Sequence, residues 1–353
     1  MKVLILSAYN AVSHDQLNKG LVRNLPEVDF TVLTLPPRFF NWRSRGNSLS
    51  FAFEFREELL KGYDLIFATS LTDMTSLRGF VPEIADIPLI MYFHENQFDY
   101  PESRSTHAHL EVKIVSVYNA IVGDRVVFNT EYNRESFLKG AHKFLRKMPD
   151  HVPKGLMDMV REKSEIISVP IDPISKGEKP DTPTILWNHR WEFDKGPDKF
   201  LLALRELKKL TDDFRLIVAG QVFKEIPEAF KTIEKEFAEH IDHWGYASSR
   251  EAYEKLVAES THIISTTLHD YQGLSVMEAA TAGCIPVLPD RVAYPYLFDK
   301  RHLYKTDNDP ETEARNCAEL ILKLGKDTPE CDMSSHYWDN LAKEYSDLFR
   351  RMI

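Results

Sequence analysis

Ser265-Thr266-Thr267-Leu268-His269-Asp270-Tyr271-Gln272-Gly273-Leu274-Ser275-Val276-Met277-Glu278-Ala279-Ala280-Thr281-Ala282-Gly283-Cys284-Ile285-Pro286-Val287 decides the fold. A strand end runs into a polar loop, a helix opened by Gly273 follows, and a second strand starts after Gly283. Strand, helix and strand in so short a span form a crossover between parallel neighbours. Upstream, Ile185–Asn188 reads as another strand, and it feeds His189-Arg190-Trp191-Glu192-Phe193-Asp194-Lys195-Gly196-Pro197-Asp198. Two cations lie five residues apart there. Gly-Pro then opens the next helix, where the N–H that proline lacks would have had no partner.

The same rhythm extends in both directions. Short apolar runs predict strands at Val3–Ser7, Phe30–Leu33, Leu65–Ala68, Leu89–Phe93, Arg125–Phe128 and Glu165–Val169. A second series follows at Ile185–Asn188, Arg215–Ala219, Ile241–Trp244, Ile263–Thr266 and Ile285–Leu288. Helical patterns lie between them, as at His14–Leu25 and His107–Ile121. The stretch from Asp172 to Thr184, rich in Pro, Lys and Asp, reads as a linker. The expected plan is α/β with two Rossmann-like domains, at 1–170 and 185–330, joined by a linker at 171–184. Their parallel sheets face each other across a cleft. A terminal helix within 333–353 docks Tyr337, Trp338, Leu341, Tyr345, Leu348 and Phe349 back on the first domain. Such sheets take ligands at the carboxyl ends of their strands, yet the fold alone would equally serve an epimerase, a kinase or a dehydrogenase.

Composition excludes several classes. The chain has 353 residues, 43% of them hydrophobic and 28% charged, which suits two folded cores and not a disordered chain. A net charge of −10 argues against broad, non-specific nucleic-acid binding, while leaving room for a local basic face. Three scattered cysteines (Cys284, Cys317, Cys331) make no CxxC pair and fit a reducing cytoplasm. The apolar run Val3–Leu6 is too short for a signal peptide or a membrane span.

The loops carry the chemistry. A nucleotide diphosphate needs positive charge and backbone donors, and Arg190, Lys195 and the following helix start offer both. Gly273 allows a phosphate or sugar to approach the helix amides at Leu274. Glu278 lies about one and a half turns inside that helix, where a carboxylate accepts two ribose hydroxyls, and seven residues separate it from Asp270. Taken singly, an Arg/Lys pair or two carboxylates are as often plain surface. The strand-loop-helix setting of both favours a site.

With these residues in view, the second half resembles the nucleotide-sugar domain of family 4 retaining glycosyltransferases, which share the two-Rossmann GT-B architecture. Their hallmark is a Glu, seven residues and a second Glu, preceded by an Arg and Lys for the diphosphate. The resemblance implies that Arg190 and Lys195 hold the donor phosphates, Glu278 the ribose and Asp270 the sugar, with Asp270 one methylene shorter than the family's Glu. The first half adds Phe39-Phe40-Asn41-Trp42-Arg43-Ser44-Arg45, Tyr92-Phe93-His94-Glu95-Asn96-Gln97, Val127-Phe128-Asn129-Thr130 and Met148-Pro149-Asp150-His151. Together with Trp187-Asn188-His189-Arg190-Trp191-Glu192 and His243-Trp244-Gly245-Tyr246, these resemble the tRNA-queuosine α-mannosyltransferases from Leu4 to about Tyr304. This chain lacks the long polar insertion of the animal members and has Asn10-Ala11 in place of their Gly pair. The implied reaction moves mannose from GDP-mannose, a co-substrate and not a cofactor, to queuosine in an aspartate tRNA. His94 would then lie beside sugar and acceptor, with Glu95 and Asn96 following it.

Other first-half residues stand between structural and functional readings. Ser13 and His14 follow a strand and read as helix caps or acceptor contacts, and Asn129 and Thr130 likewise. Trp42 with Arg43 and Arg45, expected in a loop, suits stacking on a base beside phosphate contacts. His14, His107 and His109 lack metal-ligand spacing, so no metal is expected. Between Lys139 and Lys163 the cations concentrate against three acids, and Lys143, Arg146 and Lys147 are the candidate tRNA contacts. The expected partners are a nucleotide sugar and queuosine-containing tRNA, with no membrane, in the cytoplasm. The competing readings are a glycolipid or polysaccharide acceptor, and a non-catalytic nucleotide- or tRNA-binding module.

Overall fold

Runs that are apolar at every position become strands buried on both faces, which is what a parallel sheet covered by helices requires. The computed structural model describes residues 1–99, 110–325 and 327–353, and the chain divides into two compact units, Met1–Pro170 with Trp338–Ile353, and Ile171–Tyr337.

In the first unit six parallel strands, β1 (Lys2–Ser7), β2 (Asp29–Thr34), β3 (Leu65–Thr69), β4 (Leu89–Phe93), β5 (Arg125–Phe128) and β6 (Ser164–Ile166), stand in the order β2-β1-β3-β4-β5-β6. The order reverses between β1 and β3, so a crevice is expected at their carboxyl ends. The helix Val12–Asn24 is capped at Ala11, without a side-chain bond. Ser13 and His14 therefore do not cap it. They belong to its first turn, and His14 is turned inward and buried. Thr130 does cap its helix, accepting the Asn133 N–H.

Trp42, Arg43 and Arg45 are not in a loop. They lie in a helix, Phe40–Glu54, whose inward face is built from Ser44, Asn47 and Ser48 as well as Phe51 and Ala52. Asn47 explains how polar residues occupy that face: its amide donates to the Arg43 and Leu71 carbonyls and its oxygen accepts the Asp73 N–H. Of the expected helix His107–Ile121 the described part is Leu110–Val122; His107 and His109 lie outside the described residues. The last helix, Trp338–Arg350, completes this unit. Phe349 packs edge-on to Phe67, and the Tyr345 hydroxyl lies 3.2 Å from that of Tyr92 and 3.0 Å from the Ser168 carbonyl.

The second unit repeats the plan with β7 (Thr184–Trp187), β8 (Arg215–Ala219), β9 (Ile241–Gly245), β10 (His262–Ile264), β11 (Ile285–Pro289) and β12 (Leu303–Tyr304), ordered β12-β11-β10-β7-β8-β9. The two-residue β12 is an edge strand too short to leave a periodic signal. Residues 171–184 are not a free linker: Ile171 and Ile174 are buried in this unit's core, and the Ile174 N–H donates to the Thr281 hydroxyl at 2.9 Å. The unit also runs past residue 330, to Tyr337. No described helix is long and apolar enough to cross a membrane, and Cys284, Cys317 and Cys331 are free thiols.

The contact between the first and last helices is tight enough to test. A Cβ added at Gly20 would stand 1.9 Å from the Trp338 ring, whereas one at Gly79 meets nothing within 4 Å. Gly20→Ala is expected to cost about 1–3 kcal/mol through overpacking. Gly79→Ala should be neutral or stabilising by about 0.5 kcal/mol. Urea unfolding of both variants checks this, and equal midpoints would contradict the packing.

Candidate active site

The strand order of the second unit reverses between β7 and β10, so the loops leaving their carboxyl ends, 188–196 and 265–273, are neighbours. Short bonds stitch them together. The Leu268 N–H donates to the Asp194 carbonyl at 2.8 Å, and the Thr266 and Thr267 hydroxyls reach the carbonyls of Lys195, Gly196 and Asp194. Gly196 has to be glycine: its φ is +66°, and a Cβ would lie 2.2 Å from the Thr266 carbonyl oxygen.

This stitching places Lys195, only 9% exposed, in a nest of oxygens. Its Nζ lies 3.0 Å from the His269 carbonyl, 3.2 Å from Asp270 Oδ2 and 3.5 Å from Asp194 Oδ2. The other oxygen of Asp270 accepts the Gly273 and Gln272 N–H groups at 2.8 and 3.3 Å, so the carboxylate also holds the start of the helix Leu274–Thr281. Burial works most strongly on Asp270, against its charge, and Lys195, His189 and the Gln272 amide together outweigh it, so the carboxyl stays below its usual range. His189, at the end of β7, is driven down to about 4 by burial with Lys195 close by, so its ring is neutral at pH 7.

Arg190 and Lys195, a pair by their spacing in the chain, part company here. Arg190 is half-exposed and 2.8 Å from Glu192, while Lys195 is inside. Gly273, with φ of +74°, leads into the half-buried Leu274. Glu278 is buried one turn further on, and both its oxygens are taken by Arg250, at 3.1 and 3.3 Å. Asn188 donates to the Tyr253 hydroxyl and the Ser275 carbonyl. Sequence reasoning missed Arg250 and Tyr253, which sit on an ordinary charged helix, Arg250–Glu259, with no spacing signal to Glu278. Asn188 could have been found from its place at a strand end.

In the first unit β4 delivers His94 beside the loop that follows β1. The His94 and His14 rings stack with centroids 3.9 Å apart and planes at 15°, with Tyr92 edge-on to His94 at 4.7 Å. Both nitrogens of His94 are buried without a hydrogen-bond partner among the described residues. Asn129 donates to the His94 carbonyl at 2.9 Å and accepts from Asn133 at 2.8 Å. Asn96 donates to Asn133 and Ser136 and accepts the Phe98 N–H. Both amides are thus spent bracing the backbone around His94. Half-buried Glu95 contributes its carbonyl to Ser70, and Ser13 is half-buried on the helix beside His14. Arg43 is buried, Arg45 pairs with Asp73 at 3.0 Å, and Trp42 is 58% exposed. Lys143, Arg146 and Lys147 are exposed at the end of the helix Glu131–Leu145, with no ion pair among the described residues.

The stacked histidines set a pH dependence. Burial lowers His14 to about 4, and burial with His14 alongside lowers His94 well below its usual value. The unfolded chain takes up these protons near pH 6.5 and the folded chain does not. More protons on the unfolded state means that stability is lost as pH falls from 6.5 toward about 4. His14→Phe keeps a ring in the stack and removes one titrating group. Urea midpoints should therefore decline less steeply below pH 6.5 than in the parent, and an unchanged slope would contradict the buried, neutral pair.

Comparison with known proteins agrees with this architecture. The family described as tRNA-queuosine alpha-mannosyltransferase N-terminal matches residues 2–171, and Glycosyl transferases group 1 matches 169–337. The tRNA-queuosine alpha-mannosyltransferase of Drosophila melanogaster is 30% identical over 99% of this chain and 97% of that protein. A GDP-mannose:cellobiosyl-diphosphopolyprenol alpha-mannosyltransferase from Xanthomonas oryzae is 27% identical over 32% of the chain. Among solved structures, HepE of Anabaena in complex with UDP superposes with a TM-score of 0.65 at 13% identity, covering 99% of this chain and 100% of that one. The galactosyltransferase WaaB superposes at 0.66 and 9% identity, over 100% of both chains. These structural likenesses establish the GT-B fold, and the full-length identity establishes the lineage: the chain is a glycosyltransferase belonging to the tRNA-queuosine alpha-mannosyltransferase family.

Proposed function

We propose that the chain moves mannose from GDP-mannose to a hydroxyl of the queuosine cyclopentenediol in the anticodon of tRNA(Asp), with retention at the anomeric carbon, in the cytoplasm. The observation that carries the donor half is the buried Lys195–Asp270 pair at the switch point of the second sheet. Family membership over the whole chain supports the acceptor half, and the short mannosyltransferase match is consistent with the sugar.

The residues divide the work as follows. Arg190, exposed at the rim, and Lys195, held inside, neutralise the diphosphate as it leaves. Lys195 exchanges a carboxylate contact for a phosphate oxygen. The Leu274 amide faces the phosphates from the helix start, with Gly273 leaving room for their approach, Glu278 takes the ribose hydroxyls, and Asp270 takes the sugar. The acceptor oxygen forms a bond to C1 on the face from which phosphate departs, and its proton passes to a phosphate oxygen. No carboxylate forms a covalent adduct. His94, neutral and with neither nitrogen hydrogen-bonded among the described residues, is the acceptor-side contact, with Ser13, His14 and Glu95 beside it. Asn96 and Asn129 act through the backbone they brace. Trp42 and Arg45 offer a stacking face and a cation from one helix, Arg43 supports that helix from within, and Lys143, Arg146 and Lys147 meet the tRNA backbone.

Incubating the chain with labelled GDP-mannose tests this. Label should enter tRNA that contains queuosine and not the same tRNA with guanine at that position; transfer into a lipid or polysaccharide fraction instead would overturn the acceptor. Arg190→Ala should lose most of the turnover. A charge reversal, Lys143→Glu with Arg146→Glu and Lys147→Glu, should weaken tRNA binding by roughly tenfold or more and leave GDP binding unchanged. Unaltered tRNA affinity would remove the basic helix end from the account.

A further inference from the structure

Glu278 is a buried carboxylate, and burial favours its protonated form. Its surroundings oppose this from one direction. Arg250, the first residue of its helix, presents Nη1 to Oε2 at 3.1 Å and Nη2 to Oε1 at 3.3 Å. Its Nε is 2.7 Å from Glu254 and its guanidinium lies 5.3 Å over the Tyr253 ring, so the fork is fixed on three sides. The Tyr253 hydroxyl is tied in turn to Asn188 at the end of β7. The remaining charges that face Glu278, Asp172 and Glu254, are negative. Burial, joined by these two, holds its pKa above the usual carboxylate range, and Arg250 limits the rise. Burial disfavours the Arg250 charge too, and the two glutamates more than offset this.

We infer that Arg250 is a positioning residue for the nucleoside of the donor: its fork fixes the plane of the Glu278 carboxylate and keeps it charged, leaving one acceptor position on each oxygen for the two ribose hydroxyls. The inference rests on the reading of Glu278 as the ribose acceptor. A carboxylate oxygen accepts two hydrogen bonds, and the bidentate pair uses one on each. A lysine would supply the charge without holding the plane.

Donor KM and kcat measured from pH 5.5 to 8.5 test this in four variants. Arg250→Gln should raise the KM for GDP-mannose roughly tenfold with kcat nearly unchanged, the pattern of lost ground-state binding. That KM should worsen further as pH falls, because Glu278 without Arg250 takes up a proton at higher pH. Arg250→Lys should show a raised KM with a flat pH profile, and it carries the test if the glutamine variant folds poorly. Glu278→Gln should have a raised KM that does not vary with pH, and the double variant should be no worse. If Glu278→Gln is impaired while both Arg250 variants match the parent, Arg250 is only a surface partner and the inference fails. It fails also if the two losses add, since Arg250 would then touch the donor itself. If Glu278→Gln binds the donor as the parent does, the ribose reading falls, and the inference with it.

Discussion

A lysine ammonium almost removed from water and set among two carboxylates and a carbonyl is the constraint around which the second unit is organised. Such a charge costs several kcal/mol to bury and is tolerated only where partners surround it. Lys195 has those partners because the loops after β7 and β10 meet at the point where the strand order reverses. Their approach requires Gly196 in a left-handed conformation against the Thr266 carbonyl and Gly273 at the next helix start. Asp270 serves both ends at once, facing Lys195 with one oxygen and the helix amides with the other. One ion pair thus fixes the cation, the helix start and the carboxylate in a single geometry.

The first unit follows a different logic. Its focus is neutral: two stacked imidazoles, His14 in the first turn of the helix Val12–Asn24 and His94 at the end of β4, kept uncharged by burial. The asparagines around them are scaffold. Asn133 bonds to the Phe93 carbonyl and to Asn129, and Asn129 bonds to the His94 carbonyl, which holds the strand end open without spending the His94 ring. The last helix reaches the same strand through Tyr345 and Tyr92. Both His94 nitrogens are thereby buried without a hydrogen-bond partner among the described residues.

The central strands β1, β3, β4 and β7 are legible in the amino-acid sequence because they are buried on both faces and read as short apolar runs, whereas β12 is two residues long and leaves no pattern. The helix Phe40–Glu54 is hidden by Ser44, Asn47 and Ser48 on its inner face, where hydrogen bonding substitutes for apolar burial. Residues 171–184 look like a linker because their prolines and charges outnumber Ile171 and Ile174, the two that count for packing. Lys195, Asp270 and Glu278 stand out by their place after strands and at helix starts. The Arg250–Glu278 pair does not, since it joins two helices that only tertiary structure brings together.

Lys195 as the buried cation of the donor site is the central claim, and a calorimetric titration of GDP tests it most directly. The comparison should be between Asp270→Asn and Asp270→Asn combined with Lys195→Met, so that Lys195 is removed without leaving the Asp270 charge unpaired in the interior. Asp270→Asn alone should keep GDP affinity within a few-fold of the parent, and adding Lys195→Met should weaken it by roughly tenfold or more. Equal GDP affinity in the two variants would contradict the claim.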